Sequence, residues 1–382
     1  MKKPHIANYG CGVDSTAMLV GFAARGEIPD LILFSDTGGE KPETYAYLAT
    51  MDAWLASVGF PSITRVKYQS TKVAYDTLED NMSDNETMPS MAWGRGGCSL
   101  KFKAEVMDAW IMGKSRGPWK GTGWAPFHEA HAAAADKRAA VAGPKAAYDE
   151  CLDEVTDLKK AVEAVKGSTP EAKAKRAKAR KLVDHAQARA AAAREHVAAL
   201  HAELAPLLPM KSIGYDDSPA DRKRSKRVAN NFDLDFAFNY PLQEWGWTRE
   251  RCIAEIEAAG LPPPIKSACF FCPASQKWEI KWLAAKYPAL FLRAIAMEDL
   301  ATVTGRHAHK SNPEGKIGCG LGMTFKWRTY AEAAGFLDGG KVVGDPVKLM
   351  ASALSEKPGY EANTGLVQIG KRAKQPARPC EQ

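Results

Sequence analysis

Long apolar runs are missing from this 382-residue sequence. None approaches the roughly 20 residues that a membrane-spanning helix requires. Met1-Lys2-Lys3-Pro4 leads directly into a strand, without the apolar core of a secretory signal, so a soluble, cytoplasmic protein is expected. No Gly-Lys-Ser/Thr step follows the first glycine-rich turn, which excludes a Walker P-loop. Charge of one sign is only mildly in excess: a net +7 with a pI near 8.8 permits an anionic partner without requiring one. Eight cysteines are present, and in a cytoplasmic chain they stay reduced, so ligation or thiol chemistry outranks a disulfide framework.

What is present begins with Tyr9-Gly10-Cys11-Gly12-Val13-Asp14-Ser15-Thr16, set between an apolar run from Ile6 and another through Ala17-Met18-Leu19-Val20. The order reads strand, glycine-rich turn, helix N-terminus. Such a turn presents backbone N–H groups backed by the positive end of a helix, which suits a phosphate. Gly10 and Gly12 allow close backbone approach, and Ser15 and Thr16 add hydroxyl donors. A tight turn without a ligand is the competing reading. A second buried-strand run, Leu31-Ile32-Leu33-Phe34, ends in Ser35-Asp36-Thr37-Gly38-Gly39-Glu40. It delivers another polar loop to what should be the same sheet edge, where open α/β sheets bind their ligands.

This pair of motifs resembles the PP-loop ATP pyrophosphatase superfamily, in the branch of phosphoadenylyl-sulfate reductases and DNA-phosphorothioation enzymes. The pyrophosphate loop of that family reads Ser-Gly-Gly-x-Asp-Ser; Gly12, Asp14 and Ser15 match it, while Gly10 and Cys11 depart from it. Asp36-Thr37-Gly38 with Glu40 or Glu43 matches the family's Asp-Thr-Gly…Glu. Ile213-Gly214-Tyr215-Asp216-Asp217-Ser218 with Arg222 is similar to its Gly-Ile-Arg-x-x-Glu-Ser…Arg, with Tyr215 in place of an arginine. Arg95-Gly96-Gly97-Cys98-Ser99-Leu100-Lys101 resembles its Arg-x-Cys…Lys. The resemblance spans about residues 5–115 and 210–300. It implies an α/β fold: a Rossmann-like parallel sheet of the adenine nucleotide α-hydrolase type, carrying an inserted helical hairpin and a helical C-terminal part.

The expected organisation is a PP-loop domain at 1–126 and 209–250, a helical hairpin at 127–208, a helical module at 251–369 and a disordered tail at 370–382. From about Phe127 to Leu208 alanine dominates, with Lys, Arg, Glu and Asp between, all but Asp strong helix formers. Helices are expected from Pro144 to Val165 and from Pro170 to Leu204, divided by Gly167-Ser168-Thr169-Pro170. Leu152, Val155 and Leu158 would form one apolar stripe; Leu182, Val183, Ala186, Ala190 and Val197 would form the other. Acidic residues gather on the first helix and basic ones on the second. Charge pairing within the hairpin is the favoured reading, and a nucleic-acid arm is the alternative. His128, His131, His185, His196 and His201 read as solvated helix histidines. Arg222-Lys223-Arg224 and Lys226-Arg227 make a second basic cluster, suited to a phosphate, sulfate or nucleic-acid backbone.

Cys269-Phe270-Phe271-Cys272 is a Cys-x-x-Cys turn of the kind that holds zinc or an iron–sulfur cluster. The resemblance brings Cys98 to the same centre, with Cys319 or Cys252 for a fourth ligand; zinc and unmetallated thiols are alternatives. Gly318-Cys319-Gly320-Leu321 is faintly similar to the reductases' catalytic Glu-Cys-Gly-Leu-His, although an inert glycine-rich turn is favoured. Cys151 and Cys380 carry no expected chemistry. Trp278, Trp282, Tyr287 and Phe291 recur at helical spacing and read as core.

By resemblance, ATP lies with its phosphates on Gly10–Thr16 and its adenosine near the Asp36 loop, with Gly214 on the same nucleotide. Asp14 and Asp36 engage Mg²⁺; Ser15, Lys101 and Arg222 serve the chemistry. The implied enzyme adenylates an acceptor, nucleic acid among the candidates, and releases pyrophosphate for sulfur transfer. The alternatives are reduction of phosphoadenylyl sulfate with Cys319 as nucleophile, and a non-catalytic nucleotide-dependent binding protein.

Overall fold

A computed structural model describes residues 3–70, 75–93, 96–115, 120–121, 123–229, 231–305 and 320–356. Arg95, Lys310, Lys316, Cys319, Cys380 and the 370–382 tail lie outside the described residues.

In chain order, β1 (His5–Asn8), α1 (Val13–Arg25), β2 (Leu31–Asp36), α2 (Pro42–Ser57) and β3 (Ile63–Lys67) alternate. α3 (Leu78–Asp84) and a helical stretch follow, the latter made of α4 (Gly97–Ser99), a π-helical turn at Leu100–Ala104 and α5 (Glu105–Ile111). Next come α6 (Ala125–Ala133), α7 (Ala135–Ala164) and α8 (Pro170–Leu204), then β4 (Met210–Ile213), α9 (Pro219–Ala229) and β5 (Ala237–Asn239). The chain goes on through α10 (Pro241–Glu244), α11 (Arg249–Ala258), α12 (Lys277–Lys286), α13 (Pro288–Val303) and α14 (Trp327–Ala333). A short antiparallel pair, β6 (Leu337–Asp338) and β7 (Lys341–Val342), precedes α15 (Pro346–Ser355).

The fold is α/β and Rossmann-like. A five-stranded sheet has the order β3-β2-β1-β4-β5, with β2–β3 and β4–β5 parallel and Ile32 opposite Ile63. Strand order reverses at β1, and in doubly wound sheets the reversal marks the ligand end. β1 and β2 are buried because their residues are apolar on both faces: Ile6, Ala7, Ile32 and Leu33 are fully enclosed.

By contact density the chain forms two units: Met1–Ile6 with Ala125–Gly246, and Ala7–Trp124 with Trp247–Gln382. In the first, α7 and α8 form the expected hairpin, closed by Val155, Ala186 and Ala190 and lower down by Val141, Tyr148, Val197 and Leu204. α7 starts at Ala135, earlier than the sequence reading, and carries Pro144 in its interior. Val183 is buried as expected, but Leu152 and Leu182 lie on the exposed side of their helices. Charges do pair across the hairpin: Arg189 holds both oxygens of Glu154 at 2.5 Å, and Lys137 meets Glu203. His128, His185 and His196 are exposed. His131 and His201 are half-buried and hydrogen-bonded: His131 Nε2 lies 2.7 Å from Asp235 Oδ1, and His201 Nε2 lies 2.8 Å from the Asp233 carbonyl. No helix among the described residues is long and apolar enough to cross a membrane.

In the second unit the core joins Phe102, Phe271, Trp278, Ile280, Phe291 and Trp327. Trp278, Trp282 and Phe291 are buried as their spacing predicts, whereas the half-buried Tyr287 sends its hydroxyl to Glu43 at 2.7 Å. The β6–β7 hairpin interrupts the helical module. Its Gly339-Gly340 turn has both φ values positive (51° and 76°), a two-glycine signal legible in the sequence.

Candidate functional site

The first loop leaves β1 and closes on the N-terminus of α1. The N–H groups of Gly10 and Gly12 both donate to Ser15 Oγ, at 3.2 and 3.3 Å, and that hydroxyl donates to the Gly12 carbonyl at 3.2 Å. Ser15 Oγ therefore marks a point where two backbone donors converge beside a helix start, as an anion oxygen requires. Val13 is the first residue of α1, and Thr16 is fully buried with its N–H on the Gly12 carbonyl at 3.0 Å and its hydroxyl 3.3 Å from that of Tyr9. The left-handed residue is neither glycine but Cys11, at φ 56°. Its side chain is buried and donates to the Thr44 carbonyl at 3.3 Å. Burial pushes this thiol up to about 12.

Asp14 points from the first turn of α1 to Arg249, the first residue of α11, with Nη2 to Oδ2 at 2.8 Å. Arg249 was not singled out as a site residue by its sequence context; Thr248 marks the helix start, but nothing local announces the partner.

The second loop follows β2. Asp36 Oδ1 accepts the Gly38 N–H and the Tyr45 hydroxyl, each at 2.8 Å. Thr37 is buried, and its hydroxyl lies 3.2 Å from Cys269 Sγ. Glu40 is buried and bridges three elements: Oε1 receives Lys103 Nζ at 2.8 Å and Thr37 Oγ1 at 3.5 Å, and Oε2 receives Ser267 Oγ at 3.4 Å. Burial opposes the charge on Lys103, but Glu40 outweighs it and the ammonium is held above its ordinary range. Lys101, the lysine expected at the chemistry, faces the rings of Tyr68, Tyr75 and Phe102 at 5.1, 5.3 and 5.2 Å and donates to Tyr75 Oη at 3.3 Å. The two lysines share the π-helical turn and so present different directions. Lys103 is the one that reaches the Asp36–Glu40 loop.

The Cys-x-x-Cys turn is fixed to that loop by backbone pairing: Glu40 bridges Cys269, and Phe270 N–H donates to the Gly39 carbonyl at 2.9 Å. A Cβ on Gly39 would come 2.8 Å from the Phe271 ring, so only glycine permits this approach. Cys272 N–H returns to the Cys269 carbonyl at 3.0 Å. Cys98 and Cys272, both half-buried, pack against the core that encloses Cys269. Burial pushes the Cys269 and Cys272 thiols up; Lys266 and Lys41 oppose it at Cys272. Thiols are the donor type of a soft metal or cluster, but among the described residues the sulfurs of Cys98, Cys269 and Cys272 do not all lie within 4.8 Å of one another; Cys319 is outside the described residues, and Cys252 is buried on α11. At Asp14 the Arg249 guanidinium stands as counter-charge on Oδ2.

In the first unit, Tyr215 N–H donates to the Ile213 carbonyl at 2.9 Å, a three-residue turn about Gly214. Tyr215 stacks on Tyr240 at 5.7 Å and 7°. The basic cluster is partly neutralised, Arg222 by Asp217 and Arg224 by Asp221 at 2.7 Å. No family model, no curated protein and no solved structure matches this chain.

Proposed function

We propose that the chain binds ATP with its phosphates on Gly10–Thr16 and transfers the adenylyl group to an acceptor oxygen. The observation that carries this reading is the convergence of the Gly10 and Gly12 N–H groups on Ser15 Oγ at the start of α1. A phosphate oxygen competes for those donors better than a neutral hydroxyl does, because hydrogen bonds to charged acceptors are stronger. In the reaction the acceptor oxygen attacks the α-phosphorus, the bond to the β-phosphate oxygen breaks, and pyrophosphate leaves. A sulfur nucleophile then displaces AMP from the adenylated acceptor.

Catalysis in this scheme is electrostatic: preorganised N–H donors and nearby cations hold the charge that develops on the leaving pyrophosphate. Arg249, on Asp14 beside the loop, is the cation we assign to that task. Cys98, Cys269 and Cys272 are the thiols that would hold a [4Fe–4S] cluster or zinc; such a group supplies a metal to which sulfur can bind.

Calorimetric titration tests the reading, with a non-hydrolysable ATP analogue set against adenosine 3′,5′-bisphosphate. Tighter binding of the ATP analogue is expected. Tighter binding of the bisphosphate would replace adenylation with sulfonucleotide reduction, and binding of neither would remove the nucleotide from this loop.

A further inference from the structure

Charge pairing inside the hairpin accounts for its middle but not for its loop end. Two cross-links set the register: Arg189 of α8 meets Glu154 of α7, and Lys137 of α7 meets Glu203 of α8. Extended in the antiparallel sense, that register puts Lys178 and Lys181 opposite residues 159–165, a stretch with two lysines and a single acid, Glu163. From Lys173 to Lys181 the sequence holds six cations and no acid. Arg176 is half-buried and donates to the Gly167 carbonyl. Lys173, Lys175, Lys178, Arg180 and Lys181 are exposed, and among the described residues none lies within 4.0 Å of a carboxylate. On α7, Asp149, Glu154 and Asp157 are already held by Lys145, Arg189 and Lys160.

Folding alone does not favour this arrangement. Lys175 with Lys178, and Lys178 with Lys181, are like charges at i,i+3, and Lys173 stands near the positive end of the helix dipole. A polyanion relieves both. We propose that the loop end of the hairpin, along the outer side of α8, binds double-stranded DNA through its phosphates. No Phe, Trp or Tyr occurs from 149 to 204, so the stacking that holds single strands is missing. The apolar stripe of α8 is buried at Val183, Ala186 and Ala190, which leaves no apolar face for a membrane. A second copy has few acids to offer, since those of α7 are largely taken. A duplex carries a charge about every 1.7 Å, so a run of about 12 Å meets several phosphates. Exposed Ala174 and Ala177 keep the outer face slim. The major groove of B-form DNA admits a helix, whereas that of an RNA duplex does not. The inference needs no nucleotide in the Gly10–Thr16 loop, which belongs to the other unit.

The test uses the full chain without ATP and a fluorescent DNA duplex of about 20 base pairs. Anisotropy should give saturable, sequence-independent binding with a Kd of about 10⁻⁵ M at about 100 mM sodium chloride. The logarithm of the affinity should fall with that of the salt at a slope of about −4 to −5, as about five phosphate contacts require. Combined Lys173→Gln, Lys178→Gln and Lys181→Gln keep helix propensity and should leave the melting temperature unchanged. They should weaken binding at least tenfold and make the slope shallower by about 2–3. Combined Lys114→Gln, Lys223→Gln and Lys226→Gln remove the same charge from other exposed positions, and affinity should stay within twofold of the parent. The same sequence as a single strand or as an RNA duplex should bind at least threefold more weakly. Absence of saturable binding, equal loss in the two triple variants, or preference for the single strand or for RNA would each overturn the proposal. So would a salt-labile dimer, seen by sedimentation without DNA and abolished by the hairpin substitutions, which would give this face to a second copy.

Discussion

Arg249 Nη2 sits 2.8 Å from Asp14 Oδ2 and ties the start of α11 to the first turn of α1. An acidic residue at a helix N-terminus is favourable by itself, so the guanidinium is not needed to hold Asp14 in place. It brings a fixed positive charge to the mouth of the Gly10–Thr16 loop. Arg249→Met is therefore expected to weaken binding of an ATP analogue about tenfold, equivalent to about 1.4 kcal/mol. The two side chains are only 25% and 17% exposed, so losing the guanidinium should also cost about 1–3 kcal/mol of stability. An unchanged affinity would leave Arg249 a structural partner only.

Glycines at the two loops answer to different demands, and alanine substitution separates them. Gly38 has φ 72°, and a Cβ there would lie 2.4 Å from Thr77 Cγ2. Thr77 caps α3 by accepting the Asp80 N–H at 3.0 Å. Gly38→Ala combines backbone strain of about 1–2 kcal/mol with a displaced cap of about 1 kcal/mol, so a loss of about 2–3 kcal/mol is expected in urea denaturation. Gly12 is different: a Cβ there meets Ser267 Cβ at an ordinary 3.7 Å. Gly12→Ala should fold with near-parent stability and lose affinity for the nucleotide analogue, because the methyl group keeps a phosphate from the backbone.

The sheet and its loops were legible because buried parallel strands read as unbroken apolar runs. Ile6-Ala7 and Leu31–Phe34 are such runs, and a glycine-rich loop follows each. Thr169-Pro170 announced α8, with the Thr169 hydroxyl accepting the Ala172 N–H at 3.2 Å. Pro144 misled for α7: proline commonly opens a helix, but here helix precedes it from Ala135. Long-range pairing was out of reach. Nothing in the spacing of Lys101 and Lys103 reveals that a π-helical turn gives Glu40 to the second and three aromatic rings to the first. Nor does Lys41, one residue past Glu40, read as a buried cation until α12 closes Trp282 over it.

Cys11 holds a φ of 56°, a left-handed conformation that favours glycine. The thiol offsets the strain by filling buried space and donating to the Thr44 carbonyl. With burial pushing it up to about 12, the thiolate fraction near pH 8 is negligible. Cys11 should stay unmodified by iodoacetamide in the native protein at about pH 8 and react once denaturant is added. Native alkylation of Cys11 on the timescale of the exposed thiols would show that the loop opens. Cys11→Gly should shift stability by less than about 1 kcal/mol, because relieved strain opposes lost packing.

Glu298 is fully buried and anchors the turn that enters α14. Oε1 accepts the Leu321 and Trp327 N–H groups at 2.7 and 2.9 Å, and Oε2 accepts that of Arg328 at 2.9 Å. Gly320, at φ 138°, leaves the space: a Cβ there would lie 2.3 Å from Oε1. Burial raises the carboxyl's pKa, the three N–H donors lower it, and Asp299 adds to the rise; the net direction is upward. For a group whose folded value exceeds its unfolded one, the stabilisation is complete below the unfolded value of about 4.3. It is lost as pH rises through the folded value. Glu298→Gln cannot titrate, and its amide nitrogen faces a backbone donor in place of an acceptor oxygen, so it should cost about 1–3 kcal/mol near pH 7. Between about pH 7 and about pH 5 the parent should gain on the variant, because only the parent takes up the proton. Urea denaturation of both proteins across that range measures the gap. A gap that narrows on acidification would mean that the three N–H donors outweigh burial and hold Glu298 below its ordinary range.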